Sequence, residues 1–128
     1  MGLKPSFFEM TVALSFAFFA KRGVDYAIIE TGMGGRFDST NVIHPLLSII
    51  TNIGFDHEQF LGDTLDKIAF EKAGIIKENV PVIIGQTHAK TAGVFRSIAT
   101  ERNANITFAD QVLKVNFTGY HRHSKEKG

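Results

Sequence analysis

Short apolar runs rich in branched residues recur along this chain, separated by stretches that hold either a helix or a polar loop. That alternation constrains the fold more than any other feature. Asp25-Tyr26-Ala27-Ile28-Ile29-Glu30, Leu46-Leu47-Ser48-Ile49-Ile50-Thr51 and Pro81-Val82-Ile83-Ile84-Gly85 have the continuous apolar character of strands inside a parallel sheet. Asn105-Ile106-Thr107-Phe108 is a weaker fourth strand, and residues 111–117 are a candidate for one more. Helical patterns fill residues 7–21, 63–73 and 90–102. Strands alternating with helices predict an α/β fold, a mostly parallel sheet with helices on both faces. One domain spans residues 1–128, and the basic run GYHRHSKEKG at 119–128 reads as a flexible tail.

The helix ends carry their own signals. Ser6-Phe7-Phe8-Glu9, preceded by Pro5, has the S-x-x-E form of a capping box, and Gly23 is placed to stop the helix it opens. Apolar residues lie almost all round this helix, which predicts that it is covered on most sides. Its apolar run from Met10 to Ala20 is about half the ~20 residues that a membrane span needs, and Glu9 and Lys21-Arg22 flank it. Asp63 is a candidate cap for the second helix, and Gly74 a natural stop.

The balance of charge narrows the function. With 14 basic and 13 acidic residues the net charge is +1, so no strong field exists to draw nucleic acid or an anionic membrane. Hydrophobic residues make up 44% and charged residues 21%, the balance of an ordinary globular protein. There is no cysteine, which excludes disulfides and thiolate metal sites and suits a reducing cytoplasm. A metal here would need oxygen or imidazole ligands.

Ligands of parallel α/β sheets gather at the carboxyl ends of the strands. Glu30 stands at one such end, where a strand gives way to Thr31-Gly32-Met33-Gly34-Gly35-Arg36-Phe37-Asp38-Ser39-Thr40-Asn41. By position alone it is a site carboxylate or a local cap or pair. Asn52-Ile53-Gly54-Phe55-Asp56-His57 places an imidazole beyond the second strand, next to an Asp that could orient it; hydrogen bonding within the loop is the plainer reading. Lys72 falls in the same helical arc as Ile68, Ala69 and Ile76, at about 100° per residue, whereas Lys67 and Glu71 fall outside it. An inward lysine must snorkel, pair, deprotonate or be modified. His121 and His123 form an H-x-H pair without a third ligand nearby; they, His44 and His88 read as ordinary solvated residues.

Together, Ser6-Phe7-Phe8-Glu9, the stretch from Glu30 to Asn41, Gly54-Phe55-Asp56-His57 with Leu61-Gly62, and Glu71-Lys72-Ala73-Gly74-Ile75-Ile76 resemble the folylpolyglutamate synthase and dihydrofolate synthase family of the Mur ligase superfamily. The resemblance covers roughly residues 5–85, with the motifs in order. It implies part of a Mur ligase-like, ATP-binding central domain. It also implies an enzyme that uses ATP to phosphorylate a carboxylate of dihydropteroate or a folate, after which the amine of L-glutamate attacks the acyl phosphate. Carried over by residue, Glu30 and His57 resemble the family's Mg²⁺ ligands, and Lys72 the lysine that becomes carbamylated. Ser6, Phe7, Phe8, Glu9, Phe37, Asp38 and Ser39 resemble its pterin site, with the capping box as a coexisting role for Ser6 and Glu9.

The family's phosphate-binding glycine loop has no counterpart in these 128 residues: no G-x-x-x-x-G-K-[ST] occurs. Residues that would bind the ATP cofactor are therefore not assignable, and the family's C-terminal domain is not represented either. The expectation is a fragment of a cytoplasmic ligase, inactive in isolation and self-associating into a homo-oligomer through apolar surface. Alternatives are a non-catalytic pterin-binding or assembly module and a fragment of another Mur-type amide ligase. Dihydrofolate synthesis and polyglutamate extension are not distinguishable at this level.

Overall fold

A computed structural model describes residues 4–54 and 64–114. Helix α1 (Phe7–Arg22) leads through an irregular stretch to a 3₁₀ turn (Ser39–Val42). Strand β1 (Ser48–Ile50), helix α2 (Leu65–Ala73), strand β2 (Val82–Ile84), helix α3 (Ala92–Glu101), strand β3 (Ile106–Phe108) and the single turn α4 (Ala109–Val112) follow.

The strands form one parallel sheet in the order β1-β2-β3. Ser48, Ile49 and Ile50 stand opposite Val82, Ile83 and Ile84; those in turn face Ile106, Thr107 and Phe108. Alternation sends Ile50, Val82, Ile84 and Phe108 to one face, where they join Ala69, Ala73 and Ile76 from the α2 region and Ala92, Phe95 and Ala99 from α3. Helices α2 and α3 pack side by side on that face, as two crossovers of one hand between successive neighbours require. Phe95 and Ile68 are wholly buried, each stabilising by roughly 1.5–3 kcal/mol. The parallel α/β expectation holds. Among the described residues the covering helices lie on one face, and the other, bearing Ile49 and Thr107, is exposed.

The first capping box forms in full: Ser6 Oγ accepts from Glu9 N at 3.2 Å and Glu9 Oε2 accepts from Ser6 N at 2.6 Å. At the other end Gly23 takes the left-handed conformation (φ 60°), and its N–H bonds back to the last turn, as a terminal glycine should. The second helix is capped by Thr64 rather than Asp63, its side chain accepting from Lys67 N. The third helix is shorter than residues 90–102 and makes no side-chain cap bond at Thr91.

Three expectations need correction. Residues 25–30 carry no strand, and Tyr26 and Ile28 are 81% and 98% exposed. An apolar run becomes a strand only where a neighbouring strand accepts its hydrogen bonds, and among the described residues β1 pairs with β2 alone. Helix α1 is not covered on most sides: Val12 is its one buried residue, and its packing neighbour is the 3₁₀ turn. Residues 109–112 form a helical turn, against the extra strand expected from Gln111, because Ala109, Asp110 and Gln111 lack the branched side chains that favour extension; residues 115–117 lie outside the described residues.

Candidate functional site

The irregular loop after Glu30 is built around one carboxylate. Asp38 Oδ2 accepts from the N–H groups of Gly32 and Met33, both at 2.9 Å. Its Oδ1 accepts from the Thr40 N–H at 2.9 Å and the Thr40 hydroxyl at 2.5 Å. Burial pushes the Asp38 carboxyl up, but the hydrogen bonds from Thr40, Met33 and Gly32 together outweigh it and hold the group below the usual carboxylate range. Gly34, buried at φ 68°, turns the chain inside this knot.

The loop is then fastened to the C-terminal end of α2. Arg36 N donates to the Glu71 carbonyl at 2.8 Å. The Arg36 guanidinium forks onto the Glu71 carboxylate, Nη2 to Oε1 at 2.8 Å and Nε to Oε2 at 3.2 Å, and this pairing raises the arginine pKa further. Asn41 Nδ2 donates to the carbonyls of Arg36 (3.1 Å) and Gly74 (3.0 Å), while Lys77 Nζ donates to the Asn41 carbonyl at 2.8 Å. Burial, with the nearby Arg102 charge, pulls the Lys77 pKa down. The contact is backbone against backbone. A Cβ on Gly74 would lie 2.3 Å from Arg36 Cα, and one on Gly35 would lie 2.8 Å from the carbonyl oxygens of Glu71 and Lys72.

Lys72 is half-buried on α2 beside the buried Ile68, Ala69 and Ala73. Glu30 is exposed and has no hydrogen-bond or ion-pair partner among the described residues. His57 lies outside them, as do His121 and His123, and no group of three or more metal-ligating side chains occurs among the described residues. The structure thus joins the loop that starts at Glu30 to the helix of Lys72.

The residues expected to hold a flat heterocycle fall in two nearby groups. The Phe8 ring lies over Gly32, whose added Cβ would meet it at 2.5 Å, so the start of α1 touches the loop that Asp38 organises. Phe7 and Phe37 are largely exposed, and the Arg36 guanidinium stacks 4.1 Å from the Phe37 ring centre. Ser39 opens the 3₁₀ turn, whose N-cap is Asp38. Ser6 and Glu9 spend their oxygens on the capping box, and the backbone N–H of Ser6, with its hydroxyl, lowers the Glu9 pKa.

Sequence reasoning gave Arg36, Glu71, Asn41 and Lys77 no site role, and Gly74 only that of a helix stop. Glu71 falls outside the apolar arc of its helix, which predicts a solvated residue; a partner 35 positions away in sequence leaves no local trace. The available signal was the coincidence of an arginine directly after two glycines with a glycine directly after a helix.

Comparisons with known proteins identify the family and the fold. Residues 6–126 match the Mur ligase middle domain. Over 102 residues the chain is 51% identical to a dihydrofolate synthase/folylpolyglutamate synthase of Bacillus subtilis, covering 79% of this chain and 24% of that protein. It is 47% identical over 87 residues to a folylpolyglutamate synthase of Lacticaseibacillus casei, covering 68% and 20%. A solved FPGS–AMPPCP–folate complex superposes with a TM-score of 0.81 at 39% identity, over 82% of this chain and 26% of that one. A folylpolyglutamate synthase from Thermotoga maritima does so with a TM-score of 0.74 at 39% identity, over 82% and 23%. The chain spans between a fifth and a quarter of the length of these two sequence relatives.

Proposed function

The chain belongs to the Mur ligase middle-domain family, and from that premise we propose that it is part of an ATP-dependent ligase adding L-glutamate to dihydropteroate, to folates, or to both. The observation that carries this reading is the fastening of the Glu30 loop to the end of the helix that bears Lys72, through Arg36, Asn41 and Glu71. The sequence relatives named as folylpolyglutamate or dihydrofolate synthases and the solved complex with an ATP analogue and folate support it. The absence of cysteine suits a cytoplasmic location; no helix among the described residues is long and apolar enough to cross a membrane.

In this reading Glu30 and His57 hold Mg²⁺. An unengaged carboxylate is a hard oxygen donor of the kind Mg²⁺ prefers, which is the fit that Glu30 offers. An Mg²⁺ ion held there would supply positive charge against that of a phosphoryl group in transfer. Lys72 would add a second anion: its neutral amine attacks the CO₂ carbon, an N–C bond forms as one C=O π pair moves onto oxygen, and an N–H proton leaves to solvent, giving a carbamate. The rings of Phe7, Phe8 and Phe37 provide apolar faces for the pterin, with Ser6, Glu9 and Ser39 at its polar edges and Asp38 shaping the floor.

Calorimetry of dihydropteroate and folate against the purified chain tests the reading. The expected result is pterin binding that Phe8→Ala weakens, without steady glutamate-dependent ADP release, because these residues include no phosphate-cradling glycine loop. Absence of any pterin binding contradicts it. The same titration separates the ligase segment from a Mur-type ligase of other substrates, which would ignore pterins.

A further inference from the structure

The end of α2 is closed in an unusual way. A helix leaves its last carbonyls without intrahelical partners, and a left-handed residue commonly follows to satisfy them. Here Gly74 keeps a right-handed helical conformation (φ −60°, ψ −12°). The Glu71 carbonyl accepts instead from Arg36 N at 2.8 Å as well as from Gly74 N at 3.2 Å, so a distant loop contributes the cap. The Arg36 guanidinium also brings positive charge to the negative end of the helix dipole. Gly35 packs directly on the carbonyl oxygens of Glu71 and Lys72, and a larger residue could not come so near.

We propose that Gly35 and Arg36 form a cap, supplied by the Glu30 loop, that positions Lys72: the loop and the last turn of α2 move as one body, fixing the lysine relative to Glu30. Arg36 is a positioning residue, since it acts through Glu71. The inference rests on the reading of Lys72 as a chemically active side chain, and deepens it. A lysine with four rotatable side-chain bonds gains a defined location only if the turn carrying it is itself held.

The test measures how fast Lys72 is acetylated by acetic anhydride in the folded 128-residue chain, relative to Lys4 and Lys90, by peptide mass spectrometry. Arg36→Gln removes the fork and is expected to change the Lys72 rate ratio by at least about threefold, the scale of one partly exposed ion pair. Glu71→Gln keeps an acceptor oxygen and is expected to act in the same direction with a smaller effect. Unchanged ratios in both variants, with melting curves showing them folded, overturn the proposal. If Arg36→Gln does not fold, the Glu71→Gln ratio alone decides. Chemical trapping of a carbamate on wild-type Lys72 under CO₂ is a separate readout: its failure removes the carbamate from the functional reading and leaves the acetylation ratios to judge the cap.

Discussion

Phe8 covers Gly32 so closely that a Cβ on the glycine would sit 2.5 Å from the ring, and this contact ties the start of α1 to the glycine loop. The neighbour is the far end of a side chain, so Gly32→Ala should displace the ring rather than break the backbone. We expect a cost of about 1 kcal/mol in the wild-type background and close to none in a Phe8→Ala background. Denaturant midpoints of the four variants check this; equal costs in both backgrounds would show that the contact is unimportant.

Asp38→Asn should destabilise the loop by about 1–3 kcal/mol, because it leaves backbone N–H groups without their charged acceptor. The folded carboxyl is held below its ordinary value of 3.8. Its contribution is therefore fully present above the unfolded pKa and is lost as pH falls through the lower folded value. The stability gap between wild type and variant should be flat near neutrality and close below about pH 4. A gap that widens on acidification would contradict this account of the knot.

Two glycines should behave in opposite ways on substitution by alanine. Gly74 has helical angles that any residue adopts, yet its Cβ would overlap the Arg36 backbone, so Gly74→Ala should cost about 1–3 kcal/mol or more. Gly93 lies within α3 and faces open space, so Gly93→Ala should stabilise by up to about 1 kcal/mol. Thermal melts of both variants suffice, and a stabilising Gly74→Ala would refute the close approach.

These contrasts mark what could be read from residues alone. The capping box, the terminal Gly23, the helices α2 and α3 and the three parallel strands follow from local pattern and are all present. Residues 25–30 are strand-like in composition and remain unpaired, because pairing depends on a neighbour that composition does not describe. Gly74 was read as a helix stop for its conformational freedom, whereas its use is the space it leaves for Arg36. Asp38 was read as a ligand-contacting group; its oxygens accept four hydrogen bonds inside the loop. Glu30 and Lys72 stand on a loop and a helix whose fastening to each other spans 35 positions and has no periodicity to betray it.

The exposed side chains Phe7, Leu14 and Phe18 of α1, with Ile28 after it, leave apolar surface uncovered, and surface of this kind promotes association. We expect a second copy of the chain to cover it, giving a light-scattering mass above that of a monomer. Leu14→Lys should return the monomer mass. A wild-type chain that stays monomeric at all concentrations tested would refute this.

The most direct measurement replaces the equivalent segment of the Lacticaseibacillus casei folylpolyglutamate synthase with residues 6–126 of this chain and follows glutamate-dependent ADP release. The account predicts a working ligase whose rate falls by at least about a hundredfold when Glu30 becomes Gln, the scale of losing one group that stabilises transition-state charge. A hybrid that binds ATP and folate but joins no glutamate, or one in which Glu30→Gln turns over as fast as the unaltered hybrid, would contradict it.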